Sequence, residues 1–339
     1  MIDPRLELSA SPHLKAPDST PRIMWSVVAS LVPVIGAAAY FFGVSALLVI
    51  VAATAGALLT ERVFGRRGSL GDGSAMITGL LLGLTLPPGF PLWMAFVGGV
   101  FGIGFGKVIF GGIGQNVFNP ALLGRAFLQA SFPAAITTWP KVMSGFGALR
   151  GDNLALPLMS PNADTVTGAT PLGLMKFQHE ATNVWHLAIG SVSGSLGETS
   201  AILILLGGAY LVWKNYMNWR IPASIFLTVI VFSEILFLVS PTRYPNPLFM
   251  LFSGGLMLGA VYMATDMVTS PVTDRGAWIF GFGIGFLVVL IRVWGGLPEG
   301  VMYAILLMNA VVPFINQATQ PKVFGTVPAK AAGPAKEAR

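Results

Sequence analysis

The 339-residue chain is 54% hydrophobic and only 10% charged, with a mean hydropathy of +0.73; a soluble globular chain is about 25% charged, so this composition is that of a polytopic membrane protein. It has no cysteine, which excludes disulfides, thiolate-bound iron–sulfur centres and a cysteine nucleophile. Its three histidines, His13, His179 and His186, all lie outside the apolar runs, which excludes a haem held by two histidines inside the bilayer, and any redox work here calls for an organic cofactor.

Residues 1–22 form a polar N-terminal segment, too long and too rich in proline for a simple signal peptide. A membrane span takes roughly 20 apolar residues, or fewer where the helix is broken. Reading apolar runs between turn signals predicts a first set of five, at 23–42, 45–64, 73–87, 91–109 and 117–132. A long polar loop, 133–197, separates these from a second set at 198–214, 219–239, 247–268, 276–294 and 299–317, and a polar tail follows from 318 to 339. The expected fold is therefore all-α, with about ten transmembrane helices.

Charge gives the orientation. With the N-terminus inside, fourteen of the 20 Lys and Arg residues fall on the cytoplasmic side. Only Lys141, Arg150, Lys176 and Arg243 fall outside, and Arg125 and Arg292 lie within spans. The positive-inside rule then predicts cytoplasmic termini and an external 133–197 loop. Topology alone accounts for the net charge of +6, so nothing calls for nucleic acid.

Shifting residues 85–123 by 184 positions places Thr85, Pro87, Phe96, Gly99, Gly111, Gly112, Val117, Leu122 and Leu123 on identical residues from Thr269 to Leu307. Because each half holds an odd number of spans, the halves must face opposite ways, as two inverted five-helix repeats at 23–132 and 198–317. Such repeats place a site at their interface, where broken helices free backbone groups. The candidate breaks are 73–88, 111–120 and 194–200; close helix packing explains the same glycines equally well.

Inside the spans Arg125 stands out, since a guanidinium at that depth needs a partner. The partner is either a ligand or one of the acidic residues Glu198, Glu234 and Asp266. Glu234 and Asp266 serve either ion passage or structural pairing. Asn116 and Asn119 open the fifth helix, where free N–H groups and amide side chains are available to a ligand.

The polar loop contains the stretch DTVTGAT, Asp164 to Thr170. A hydroxyl in such a loop ordinarily caps a turn. The pattern, however, resembles the flavinylation motif of the RnfD/NqrB family, whose last Thr carries FMN through a phosphoester. Ser11-Pro-His13, the run from Asp72 to Pro88, Gln115 to Ala121 and Gly194 to Ser200 also resemble segments of that family, in its order. The resemblance implies a subunit of a six-subunit ion-translocating ferredoxin/NAD oxidoreductase in the cell (inner) membrane, relaying electrons through FMN on Thr170 and coupling this to Na⁺ or H⁺ movement. It implies partner subunits of the A, B, C, E and G types and surrounding membrane lipid. It further implies a flavin transferase that reads Asp164, Thr167, Gly168 and Ala169, and a non-covalent riboflavin, for which Asn116, Asn119 and Arg125 are the candidate contacts. The alternative is a urea-type channel or small-solute transporter of the same inverted-repeat architecture, in which Thr170 is only a loop hydroxyl.

Overall fold

The computed structural model describes residues 18–66, 69–140, 152–157, 168–178, 180, 182–198, 200–241 and 243–321. Helices α1 (Thr20–Phe42) and α2 (Val44–Phe64) are followed by a 3-10 turn, Ser69–Asp72, and by α3 (Ser74–Leu84). Next come α4 (Leu92–Ile103), which continues as a π turn over Gly104–Val108, then α5 (Pro120–Ser131) and the single turn α6 (Pro133–Ile136). The described part of the intervening loop holds α7 (Pro171–Gln178) and α8 (Val184–Ile189). After a 3-10 turn at Leu196–Glu198 the second half runs through α9 (Ala201–Trp213), α10 (Arg220–Val239), α11 (Pro247–Phe252), α12 (Leu256–Leu258), α13 (Asp274–Trp294) and α14 (Val301–Thr319). The described residues contain no β-strand.

Five helices, α1, α2, α10, α13 and α14, are long and apolar enough to cross a membrane, and α3, α4 with its π turn, and α9 are shorter apolar helices. Side chains such as Val32, Val51, Leu238 and Phe314 are more than half exposed on their outer faces, as expected where lipid rather than water is the neighbour. The two halves pack alike. Helix α2 lies along α3 and α4, α10 lies along α13, and α5 and α14 close each half against α4 and α13. Close approach is built in: a Cβ on Gly281 of α13 would come 2.7 Å from the Ile221 carbonyl oxygen of α10. The core runs unbroken across both halves, with Leu82, Leu86 and Phe90 of the first sharing one cluster with Leu196, Phe280 and Val289 of the second.

The eighth predicted span, 247–268, is corrected by the structure. It is interrupted at Ser253, Gly254 and Gly255, where Gly254 takes φ 65°, and it resumes as α12 and a π turn over Gly259–Met263. The first half breaks after α3. There Leu86 accepts a hydrogen bond from the Leu196 N–H at 3.1 Å, which ties the two halves together. Asn153, only 2% exposed, closes the rest of that break: its amide donates to Pro88 O at 3.1 Å and to Phe90 O at 3.0 Å, while its own backbone carbonyl accepts the Leu92 N–H at 3.0 Å. A segment predicted to lie in the external loop thus supplies the hydrogen bonds that a buried break requires.

Candidate functional site

Two of the breaks, at Gly254 and at the turn holding Glu198, open on a cavity of about 800 Å³ at the end of the molecule that carries α7. Arg125 and Gln129 of α5, Trp139, the stretch from Gly168 to Leu174, Phe177, Glu198, Gly254, Glu299 and Tyr303 of α14 all line it. Thr170 lies at its wall, immediately before α7. Its Oγ1 accepts the Gly173 N–H at 3.1 Å and its carbonyl accepts the Leu174 N–H at 2.9 Å, so it caps α7. The Gly168 N–H donates to Trp139 O at 2.7 Å and fixes the approach to the helix. The ordinary role of such a hydroxyl and its position on a cavity therefore coexist at one atom.

Arg125 is 8% exposed. Its guanidinium donates to the Thr85 carbonyl at 2.6 Å, which lies at the open end of α3, and to Glu299 Oε2 at 2.8 Å. None of the three carboxylates proposed from sequence is its direct partner. Glu299 is, and Glu299 also accepts the Gly255 N–H at 2.6 Å on Oε1. Glu198 lines the same cavity and accepts from the Ser195 hydroxyl at 2.9 Å. Behind Gly254, Arg292, 4% exposed, donates to the Met250 and Ser253 carbonyls and so satisfies the break between α11 and α12. Lys176 of α7 donates to the carbonyls of Arg292 at 3.1 Å, Leu297 at 2.9 Å and Gly295, fastening α7 to the end of α13. Burial pushes the Lys176 ammonium below the usual lysine range.

A second, smaller cavity of about 110 Å³ lies at the other end of α5, lined by Ser74, Lys107, Asn116, Asn119, Tyr262 and Asp266 among others. Asn119 caps α5, accepting the Ala121 and Leu122 N–H groups at 3.0 and 3.3 Å, and its amide donates to Met263 O at 3.1 Å. Asn116 hydrogen-bonds the Asp266 carboxylate. Lys107, 4% exposed in the π turn, is paired with Glu61, hydrogen-bonded to Ser74 and 3.7 Å from Asp72.

The residues singled out from sequence therefore divide. Thr170, Gly168, Ala169 and Arg125 meet in the outer cavity; Asn116 and Asn119 line the inner one. Arg125 does not share a cavity with the two asparagines, although the sequence groups them. Asp164, Thr167 and the Ser11-Pro-His13 segment lie outside the described residues. Glu234 points outward from α10, away from both cavities. Sequence reading missed Glu299, Lys176 and the Ser253 to Gly255 break. The Leu-Pro-Glu-Gly turn at 297–300 is a usable signal for the first, because it puts a carboxylate at the mouth of a span.

Comparison with known proteins gives a match to the NQR2, RnfD, RnfE family over residues 7–325. The chain is 42% identical to the D subunit of a proton-translocating ferredoxin:NAD(+) oxidoreductase complex of Clostridium ljungdahlii, over 94% of this chain and 96% of the relative. It is 38% identical to the D subunit of a Na(+)-translocating ferredoxin:NAD(+) oxidoreductase complex of Acetobacterium woodii, over 97% of this chain and 98% of the relative. It is also 42% identical to the D subunit of an ion-translocating oxidoreductase complex of Stutzerimonas stutzeri, over 91% of this chain and 92% of the relative.

Proposed function

The chain belongs to the NQR2, RnfD, RnfE family, and from that premise we propose that it is the D subunit of an ion-translocating ferredoxin:NAD oxidoreductase complex, carrying electrons on FMN joined to Thr170 by a phosphoester. The observation that carries this reading is the position of Thr170 Oγ1, at the N-terminus of α7 and on the wall of a cavity of about 800 Å³. That volume lies in the range of about 300–1,000 Å³ that takes small organic ligands. A phosphate on this oxygen sits where the first N–H groups of an eight-residue helix converge, and the positive helix end favours its charge. Ala169 and Gly168 leave little bulk beside the acceptor, Trp139 and Phe177 offer aromatic surface, and Arg125 and Tyr303 offer donors.

Bound there, the flavin supplies one- and two-electron transfer that no side chain of a cysteine-free chain provides. The protein holds its phosphate, walls its ring from lipid and sets the charge around it. Asp164, Thr167, Gly168 and Ala169 are the sequence read by the attaching transferase, and the remaining partners are the other subunits of the complex. A non-covalent riboflavin belongs at the inner cavity near Asn116 and Asn119. At about 110 Å³ that cavity is smaller than the range of about 300–1,000 Å³ that takes small organic ligands, so its lining must open to accept it. The coupling ion is Na⁺ or H⁺, since the relatives' names include both. The cytoplasmic placement of both termini follows from the charge distribution.

The test is denaturing electrophoresis of the purified complex under ultraviolet light, with mass spectrometry of the 168–178 peptide. Thr170→Ala should abolish the fluorescent band of this chain and the FMN mass increment, while Thr167→Ala keeps part of the label. A labelled Thr170→Ala chain, or an unlabelled wild type, rejects the assignment.

A further inference from the structure

Two carboxylates line the outer cavity, and each is seated against a glycine. A Cβ on Gly194 would fall on Glu198 Oε2, and a Cβ on Gly255 would come 2.6 Å from Glu299 Oε1. Both glycines are therefore needed to leave room for a carboxyl group. The two seats nevertheless differ in what fills them. Glu299 has a donor on each oxygen, Arg125 on Oε2 and the Gly255 N–H on Oε1. Glu198 is held by Ser195 alone, whose hydroxyl donates to Oε1 at 2.9 Å and whose backbone N–H also bonds the carboxylate, and among the described residues no cation forms an ion pair with it.

Of the other charged groups, Arg125 lines this space while Arg292 and Lys176 lie behind its wall, and each already holds partners. From α5, Arg125 is held by Glu299 and Thr85 O; from α13, Arg292 is held by the Met250 and Ser253 carbonyls; from α7, Lys176 is held by three carbonyls of residues 292–297. Tyr303 of α14 and Gln129 of α5 add uncharged polar groups. A proton on Glu299 would have to displace a donor it already accepts from. A proton on Glu198 displaces no cation, since only neutral donors hold it.

We propose that Glu198 is the proton-exchanging group of the outer cavity, giving a proton to the flavin ring held there when that ring is reduced and taking it back on reoxidation. This rests on the reading that a flavin on Thr170 occupies the cavity. The electron pair comes from the upstream carrier of the complex, Glu198 breaks its carboxyl O–H bond, and an N–H bond forms on the ring. The carboxylate left behind stays beside two guanidinium groups, Arg125 and Arg292, which offset its charge. On reoxidation the electrons pass to the next carrier and Glu198 recovers the proton. Ser195 holds the carboxyl group in place throughout the exchange.

The experiment uses the assembled complex as wild type, Glu198→Gln and Ser195→Ala, with the Thr170→Ala complex as the blank for every other flavin present. Because the proton passes between Glu198 and the ring without entering the bulk, redox titration of the Thr170 flavin at several pH values should give a wild-type midpoint potential that does not change with pH. In Glu198→Gln the ring must take its proton from water, so the midpoint should fall as pH rises while the covalent label is retained. Reduced-minus-oxidised infrared spectra should show loss of a carboxyl C=O band in the wild type, absent in Glu198→Gln and shifted in Ser195→Ala. The Ser195→Ala spectrum decides the matter if Glu198→Gln fails to assemble. The same pH dependence in wild type and Glu198→Gln with unchanged infrared bands overturns the proposal, as does a potential that follows Na⁺ concentration, which would make the pair a cation site. A wild-type chain without covalent flavin rejects the flavin reading itself, a result distinguishable from either of these.

Discussion

The outer and inner cavities lie at opposite ends of the same helix, α5, and both hold a buried cation against a carboxylate, yet they are built for different ends. Asn119 faces the inner cavity and Arg125 the outer, six residues or about 9 Å apart on a helix that rises about 1.5 Å per residue. At the inner end Lys107 is held by Glu61 and Ser74, Asn116 by Asp266 and Asn119 by Met263 O, and about 110 Å³ is left. At the outer end the Arg125–Glu299 pair stands in the wall, leaving about 800 Å³ onto which the Thr170 hydroxyl and the Glu198 carboxyl open. Polar groups paired around a small space fix a fold; groups that face a large space are offered to a guest.

Exchange of charge partners tests that contrast most severely. Arg125→Leu leaves Glu299 partly buried without its guanidinium, and removing one partner of a buried pair costs about 3–5 kcal/mol. The yield of assembled complex should fall sharply. Arg125→Leu with Glu299→Gln should recover yield but not the wild-type potential of the Thr170 flavin, because the charge beside it is still missing. Recovery of both would make the outer pair as purely structural as the inner one is argued to be.

The inner pair gives the counterpart. Lys107→Met strands Glu61, whose Oε2 has no hydrogen-bond partner among the described residues, and the loss should again be about 3–5 kcal/mol. Here Lys107→Met with Glu61→Gln should restore thermal stability and leave the covalent label and the potential of the Thr170 flavin unchanged. A shift of that potential in the double variant would break the division between the two ends.

How far this contrast was legible in the sequence depends on the range of each interaction. Arg125 is visible because a lone guanidinium in an apolar run needs a partner, but the partner is 174 residues away in a turn and no local pattern names it. Thr170 is visible through its motif; that its hydroxyl also caps α7 follows from the Pro-Leu-Gly that comes next. The break at Ser253 to Gly255 stays hidden, because the run on either side is continuously apolar and hydropathy does not respond to a local turn. Asn153 reads as an ordinary loop residue. Only the fold brings it to the carbonyls of Pro88 and Phe90.

The smallest expected effect concerns how the outer cavity is held to its tether. The last turn of a helix leaves carbonyls without intrahelical donors, and the end of α13 uses Lys176 to satisfy one of them together with two in the following turn. In Lys176→Met these carbonyls turn to water at the surface, so the net cost should be only about 1 kcal/mol. The consequence is one of motion more than of stability. Residues 295–299 carry Glu299 to Arg125, and α7 carries Thr170, so releasing the clamp loosens both walls of the outer cavity and neither wall of the inner one. Hydrogen exchange followed by mass spectrometry should show faster exchange in 296–300 and in α7 of Lys176→Met, an intermediate rate in Lys176→Arg, and no change in 113–121. The covalent label on Thr170 should persist in both. Uniformly faster exchange at both ends of α5 would mean that the two cavities open together, and that the separation drawn between them does not hold.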